Sequence, residues 1–399
     1  MMQKTYKVLL LTLLAISAFR GAAKAQPTMI TDQSGTRIVV EKPFKRIICL
    51  YAAHTENLFS LGLDREIIGV SRDEAFPPQT LAKPAFSYHD DVEKFIAAQP
   101  DLVLVRPMIS QGYPNFVNAL QKVGIVVVSL QPRTIEEVYT YWKDLGILTG
   151  REARSATMIE KFETELQRIH RIVDTIPEAK KKKVYFEAIH SKMRTFSPSS
   201  IAMFALKSAG GINVAKDAQE RHGTNIADYG KEHILSQADE IDVYLAQKGT
   251  MNHATVRQID AESGFRIIKA VREGQIYIVD EKIVSRPTLR LLDGIYEIGR
   301  FLYPEKFNDV TDLKKVPALS RAQFAKMFCK MADTPFKTPD YRQDIPDRFQ
   351  SVRDFFCCGS KRDQGGYLYA IEKRTGFRSI KHGNNVSEKP AHVRPSLGG

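Results

Sequence analysis

Short, continuous apolar runs punctuate this chain near residues 46–51, 66–70, 101–105 and 125–130, and again near 184–188 and 275–279. Apolar runs of this length, bounded by turn residues, read as buried strands. Between them apolar positions recur at steps of three and four, as over 113–123 and 199–209, which reads as helix. Another helix opens at Thr55-Glu56-Asn57-Leu58 and is closed by Gly62. Residues 30–40 alternate loosely around Gln33-Ser34-Gly35, a hairpin signal. Strand and helix in alternation predict a mainly parallel sheet wrapped by helices.

From Gly150 to about Thr175 the pattern changes. Ala153, Ala156, Ile159, Phe162, Leu166, Ile169 and Val173 mark the apolar face of one long amphipathic helix. Pro177 and the lysine run 180–183 end it, and the strand–helix alternation then restarts. The segments on either side also echo one another. Glu93-Lys-Phe-Ile and Glu232-His-Ile-Leu each open a short helix, followed by a break and a hydrophobic strand, 139 residues apart. The expected organisation is therefore an amino-terminal α/β lobe over 26–149, a linker helix over 150–178 and a carboxyl-terminal α/β lobe over 179–304. Residues 305–399 form an extension, low in order signals and rich in Pro, Asp and Arg over 334–349. Two lobes imply a cleft, the usual place to bind a ligand.

Residues 1–25 read as an export signal. Lys4 and Lys7 precede the 12-residue apolar run 8–19, and Ala23-Lys24-Ala25 fits a cleavage site. The mature chain is expected to begin at Gln26 and to work in the periplasm. The formal net charge of +12 reflects the ends of the chain: residues 26–309 hold 37 basic and 37 acidic side chains. A neutral folded core argues against nucleic-acid binding. Cys49 lies within an apolar run and is expected in the core; a link from Cys329 to Cys357 or Cys358, and free thiols in the extension, are both open.

There is no phosphate loop, no G-x-G-x-x-G after a strand, no H-E-x-x-H and no G-x-S-x-G, so an enzyme is not expected. The candidate chemistry sits where strands end and helices begin, the rim that holds ligands in open α/β sheets. The first lobe offers Tyr51, His54, Tyr88, His89, Arg106, Tyr113 and Arg133 there. The second offers His190, Arg194, Asn225, Tyr229, Gln247, Asn252 and Arg286. Tyr and His stack on flat macrocycles or ligate iron, and Arg pairs with carboxylate or catecholate oxygens. A bare-metal site would need several His and carboxylates converging; His54, His89 and His190 are the candidates. Glu93 and Glu232, each opening a helix, either complement the helix dipole or form a paired acidic dock at the lobe tips.

These residues resemble a family. Tyr51-Ala-Ala-His-Thr-Glu56, Leu61-Gly-Leu-Asp-Arg-Glu-Ile-Ile-Gly-Val70, residues 93–104, Ala209-Gly-Gly-Ile-Asn-Val214, residues 232–243 and Glu273-Gly-Gln-Ile-Tyr277 are similar to the periplasmic binding proteins of ABC importers for iron-siderophores, haem and cobalamin. The resemblance covers about residues 28–304. It implies two α/β lobes joined by one long helix. It implies that Glu93 and Glu232 dock onto arginines of an inner-membrane permease, which works with an ATPase. It also implies a ligand containing iron or cobalt, and no resident cofactor. A ferric siderophore-like complex leads, with a corrinoid or haem as alternatives and a chelatase-like enzyme as the reading from another class. The protein is expected to be a monomer.

Overall fold

The computed structural model describes residues 28–308 except Ala75 and His222. The expected signal over 1–25, residues 309–399 of the expected extension and Cys329, Cys357 and Cys358 lie outside the described residues, whereas Pro304–Phe307 form a helix whose Phe307 packs into the core.

The chain opens with the antiparallel hairpin β1 (Thr28–Thr31) and β2 (Arg37–Val40), closed by Asp32, whose carboxylate accepts from the backbone of Ser34 and Thr36. The first lobe follows: β3 (Ile47–Cys49), β4 (Ile67–Ser71), β5 (Ala85–Phe86), β6 (Leu102–Val105) and β7 (Val126–Ser129). They form a wholly parallel sheet in the order β5-β4-β3-β6-β7. Its central strands are buried on both faces, which is why they read as unbroken apolar runs.

Two helices carry the chain out of this lobe. Helix Ile135–Thr149 ends at Gly150, which takes a left-handed φ of 64° that other residues resist. The linker helix Glu152–Val173 then runs unbroken for 22 residues. The two lie close because Gly146 has no side chain: a Cβ there would stand 2.8 Å from that of Ser155. Ser155 Oγ also donates to the Trp142 carbonyl at 2.8 Å.

The second lobe contains β8 (Lys183–Ile189), β9 (Arg194–Phe196), β10 (Ile212–Asn213), β11 (Gln219–Glu220), β12 (Ile226–Asp228), β13 (Val243–Lys248) and β14 (Ile276–Asp280). β10, β8, β13 and β14 are parallel, as the alternation predicts. β9, β12 and β11 extend the other edge in antiparallel pairing, so this sheet is mixed. These added strands are two or three residues long and largely polar, and hydrophobic periodicity does not reveal them.

One apolar core passes through both lobes. It joins Ile47, Leu104 and Trp142 to Phe162 of the linker helix, and onward to Phe186, Leu245 and Ile295. Cys49 is part of it. No helix among the described residues is long and apolar enough to cross a membrane.

Candidate functional site in the inter-lobe cleft

In the first lobe all five strands are parallel, so the segments after β3, β4, β5 and β6 leave from one edge. In the second lobe the segments after β8, β13 and β14 do the same. The two edges face each other. Asn57 Nδ2 and Trp142 Nε1 of the first lobe both donate to the Pro287 carbonyl, at 2.9 and 3.2 Å. Arg133 Nη1 bridges to the Gly223 carbonyl at 3.2 Å and lies 3.8 Å from Glu220. Arg133 is thus a cross-lobe strap as well as a rim residue.

At the centre of the rim stands Tyr51. The Arg106 guanidinium lies 5.1 Å from its ring centroid. Burial pushes the Tyr51 hydroxyl above its ordinary pKa, while the charges of Arg106 and of Arg286, from the opposite lobe, pull it down. Glu281 and Glu56 act on the same phenol in the opposite sense, so charges from both lobes bear on Tyr51. Beside them Tyr88, His89 and Tyr113 form an aromatic group: Tyr88 lies 4.2 Å from His89 and 4.6 Å from Tyr113, and His89 is exposed.

His54 corrects the sequence reading. It follows β3 closely but is fully buried. Its Nε2 lies 2.9 Å from the Val105 carbonyl and its Nδ1 2.8 Å from the Tyr141 hydroxyl, which also accepts from Asn57 at 3.2 Å. A neutral ring that donates from Nε2 and accepts at Nδ1 satisfies all of these, and burial pushes its pKa down to about 4. His54 supports the rim from beneath and offers no nitrogen to a ligand.

The second-lobe rim is also more committed than expected. Glu187 is fully buried at the carboxyl end of β8 and collects hydrogen bonds from the Tyr244 hydroxyl, His190 Nδ1 at 2.8 Å and Asn252 Nδ2 at 3.3 Å. That bond to Glu187 raises the His190 pKa, and His190 Nε2 faces Glu262 at 3.7 Å. Nδ1 of His190 is therefore engaged, while its Nε2 faces a carboxylate beyond hydrogen-bond distance. Arg194 pairs with Asp228 at 2.7 Å, and Arg221 joins the same carboxylate at 3.2 Å. Tyr229 stacks on Tyr185 with centroids 5.8 Å apart. Gln247 and Asn252 are buried, and Asn225 is partly buried. Among the described residues no three His, Cys, Asp or Glu side chains are grouped to hold a metal ion, so His54, His89 and His190 do not make a bare-metal centre.

Glu74 is a rim residue the sequence reading passed over. It follows β4, accepts from Thr55 at 2.8 Å and Ser71 at 3.0 Å, and is raised by burial above the usual carboxylate range. Its Oε2 has no partner among the described residues. The strand-end rule that selected Tyr51 would have found it. A cavity of about 370 Å³ lies at the other end of the second lobe, beside Lys181, Leu206 and Lys216, away from this rim.

Glu93 and Glu232 stand in the first turns of helices Val92–Ala98 and Lys231–Ser236. Both are exposed, one on each lobe, and neither is in an ion pair among the described residues.

This architecture matches known proteins. Residues 47–283, more than half of the chain, match the family described as periplasmic binding protein. The chain belongs to that family. It is a binding protein and not an enzyme, and the family resemblance seen in its motifs holds. It is 24% identical over 287 residues to an uncharacterized ABC transporter substrate-binding lipoprotein, YvrC of Bacillus subtilis, covering 71% of this chain and 88% of that one. It is 22% identical over 272 residues to the vitamin B12-binding protein of Vibrio cholerae, covering 67% and 93%. A crystal structure from Staphylococcus epidermidis, described as a possible iron-binding (periplasmic solute-binding) protein, superposes with a TM-score of 0.57 at 26% identity, covering 66% of this chain and all of that one.

Proposed function

We propose that this periplasmic binding protein captures an anionic ferric chelate of siderophore type in the inter-lobe cleft and delivers it to an inner-membrane ABC permease with its ATPase. The observation that carries the reading is the Arg106 guanidinium 5.1 Å from the Tyr51 ring centroid, with the charge of Arg286, from the opposite lobe, acting on the same phenol. Guanidiniums in a partly desolvated site favour the carboxylate, hydroxamate or catecholate oxygens that surround ferric iron in such ligands. The iron arrives as cargo, so the protein needs no resident metal. The iron-binding description of the Staphylococcus epidermidis structure supports this choice, and the ABC transporter name of YvrC supports the transport role. On this reading residues 1–25 direct export and are removed.

A corrinoid is the second reading. It is favoured by the similarity to the Vibrio cholerae vitamin B12-binding protein and by the aromatic group Tyr88, His89 and Tyr113, which suits a flat ring system. Haem would use the same aromatic group.

Glu93 and Glu232 dock this protein onto the permease. Exposed carboxylates at matched places on two lobes suit two cationic sites on the two halves of a dimeric partner, where rim charges set association rate and orientation. The absorption spectrum of the protein purified from its native host tests the ligand. A broad ferric charge-transfer band with bound iron is expected; a corrin or Soret band would replace this reading with the second or the third.

A further inference from the structure

Each docking glutamate stands beside a lysine whose ammonium is held by other groups. In the first lobe Lys94 Nζ lies 2.6 Å from Asp90 Oδ2, donates to the Ala85 carbonyl at 2.7 Å and sits 4.7 Å from the centroid of the Phe86 ring. Asp90 is fixed in turn by Arg72 at 2.6 Å and the Ser87 backbone N–H at 3.0 Å. In the second lobe Lys231 Nζ lies 2.6 Å from Glu262 Oε1 and 5.7 Å from the centroid of the Phe265 ring. The other Glu262 oxygen faces His190. Both rings belong to the core. The lysine follows its glutamate in the first lobe and precedes it in the second, so the sequence echo does not carry this arrangement.

We propose that Asp90 and Glu262 are positioning residues for docking: each tethers the lysine beside a docking glutamate, so that Glu93 and Glu232 face the permease with their charge uncompensated. This rests on the docking role given above to those two glutamates. Adjacent helical side chains diverge, but a lysine ammonium rides on a flexible stem and a loose one swings toward the nearest carboxylate. A carboxylate and an aromatic face in each lobe, with a carbonyl as well in the first, hold it elsewhere. The two lobes reach one result with different acceptors, and neither glutamate has an ion pair among the described residues.

The test uses Asp90→Asn and Glu262→Gln, alone and combined with Lys94→Met or Lys231→Met, in the full mature chain. Two quantities are read: the carboxyl titration of Glu93 and Glu232 by carbon-13 NMR, and the rate of association with the cognate permease–ATPase complex in nanodiscs at low salt. Releasing a lysine should move the carboxyl titration of its own glutamate to lower pH and slow association about threefold, since exposed charge pairs are weak. Removing the freed lysine should restore both. A titration that does not move, or a loss that lysine removal fails to restore, overturns the proposal. If Glu93→Ala with Glu232→Ala leaves association unchanged, the docking role itself is wrong, and the carboxyl titrations still judge the tethers.

Discussion

Arg290 of the second lobe grips Glu56 of the first through two hydrogen bonds, Nε to Oε1 at 2.8 Å and Nη2 to Oε2 at 2.7 Å. Its guanidinium also lies 4.3 Å from the Phe76 ring centroid, and Glu56 is almost fully buried. Removing one partner of a buried pair strands the other charge, which costs more than the pair itself contributes. Arg290→Met should therefore destabilise the protein by about 3 kcal/mol. Arg290→Met with Glu56→Gln should recover most of that loss. Urea unfolding of the three variants measures it.

Acid should weaken this protein through His54. Its folded pKa is lowered to about 4, while the unfolded imidazole titrates near 6.5. The unfolded state binds the proton first as pH falls, so stability is lost progressively from about pH 6.5 down to about pH 4. The full loss is on the order of 3 kcal/mol. His54→Gln should flatten this part of the profile, as followed by urea midpoints across the range. Unchanged pH dependence would mean the ring is not held neutral.

Sequence pattern reaches the central strands and the linker helix because burial on both faces and a 3.6-residue repeat leave direct traces. It fails at residues 54–57. His54, Thr55, Glu56 and Asn57 are all buried polar side chains, held by partners at Val105, Tyr141, Glu74, Pro287 and Arg290. A contact spanning more than 200 residues, such as that of Asn57 with Pro287, has no local signature. Glu187 is hidden as well: it sits in the apolar strand β8, and beside the local imidazole of His190 the hydroxyl and amide that satisfy it come from segments more than 50 residues away. That Tyr51, Arg106 and Arg286 follow strand ends is legible in the sequence, because parallel topology sends those ends to one edge of each sheet.

Little closure should accompany ligand binding. The linker helix contains no Pro or Gly at which to kink. The lobes also share one core and the Glu56–Arg290 grip. Small-angle scattering should give nearly the same radius of gyration with and without a saturating ferric chelate. A large contraction would show that the lobes hinge.

The cleft assignment rests on side chains that can be removed singly. Arg106→Ala, Arg286→Ala and Tyr88→Ala should each weaken binding of a ferric chelate by roughly 1–3 kcal/mol, the scale of a lost charge-assisted or buried polar contact. Arg194→Ala, at another rim arginine, should do less, because Asp228 already engages that guanidinium. Calorimetry on the four variants ranks them.

The most direct test of the whole account is a parallel titration of the purified, ligand-free protein with an anionic ferric siderophore, haem and cobalamin, followed by calorimetry. The account predicts that the ferric chelate binds at least about 100-fold more tightly than cobalamin, a difference of roughly 2.7 kcal/mol, and that Arg106→Ala with Arg286→Ala abolishes the preference. Tighter binding of cobalamin or haem than of every ferric chelate tried, unaffected by the two arginines, would contradict it.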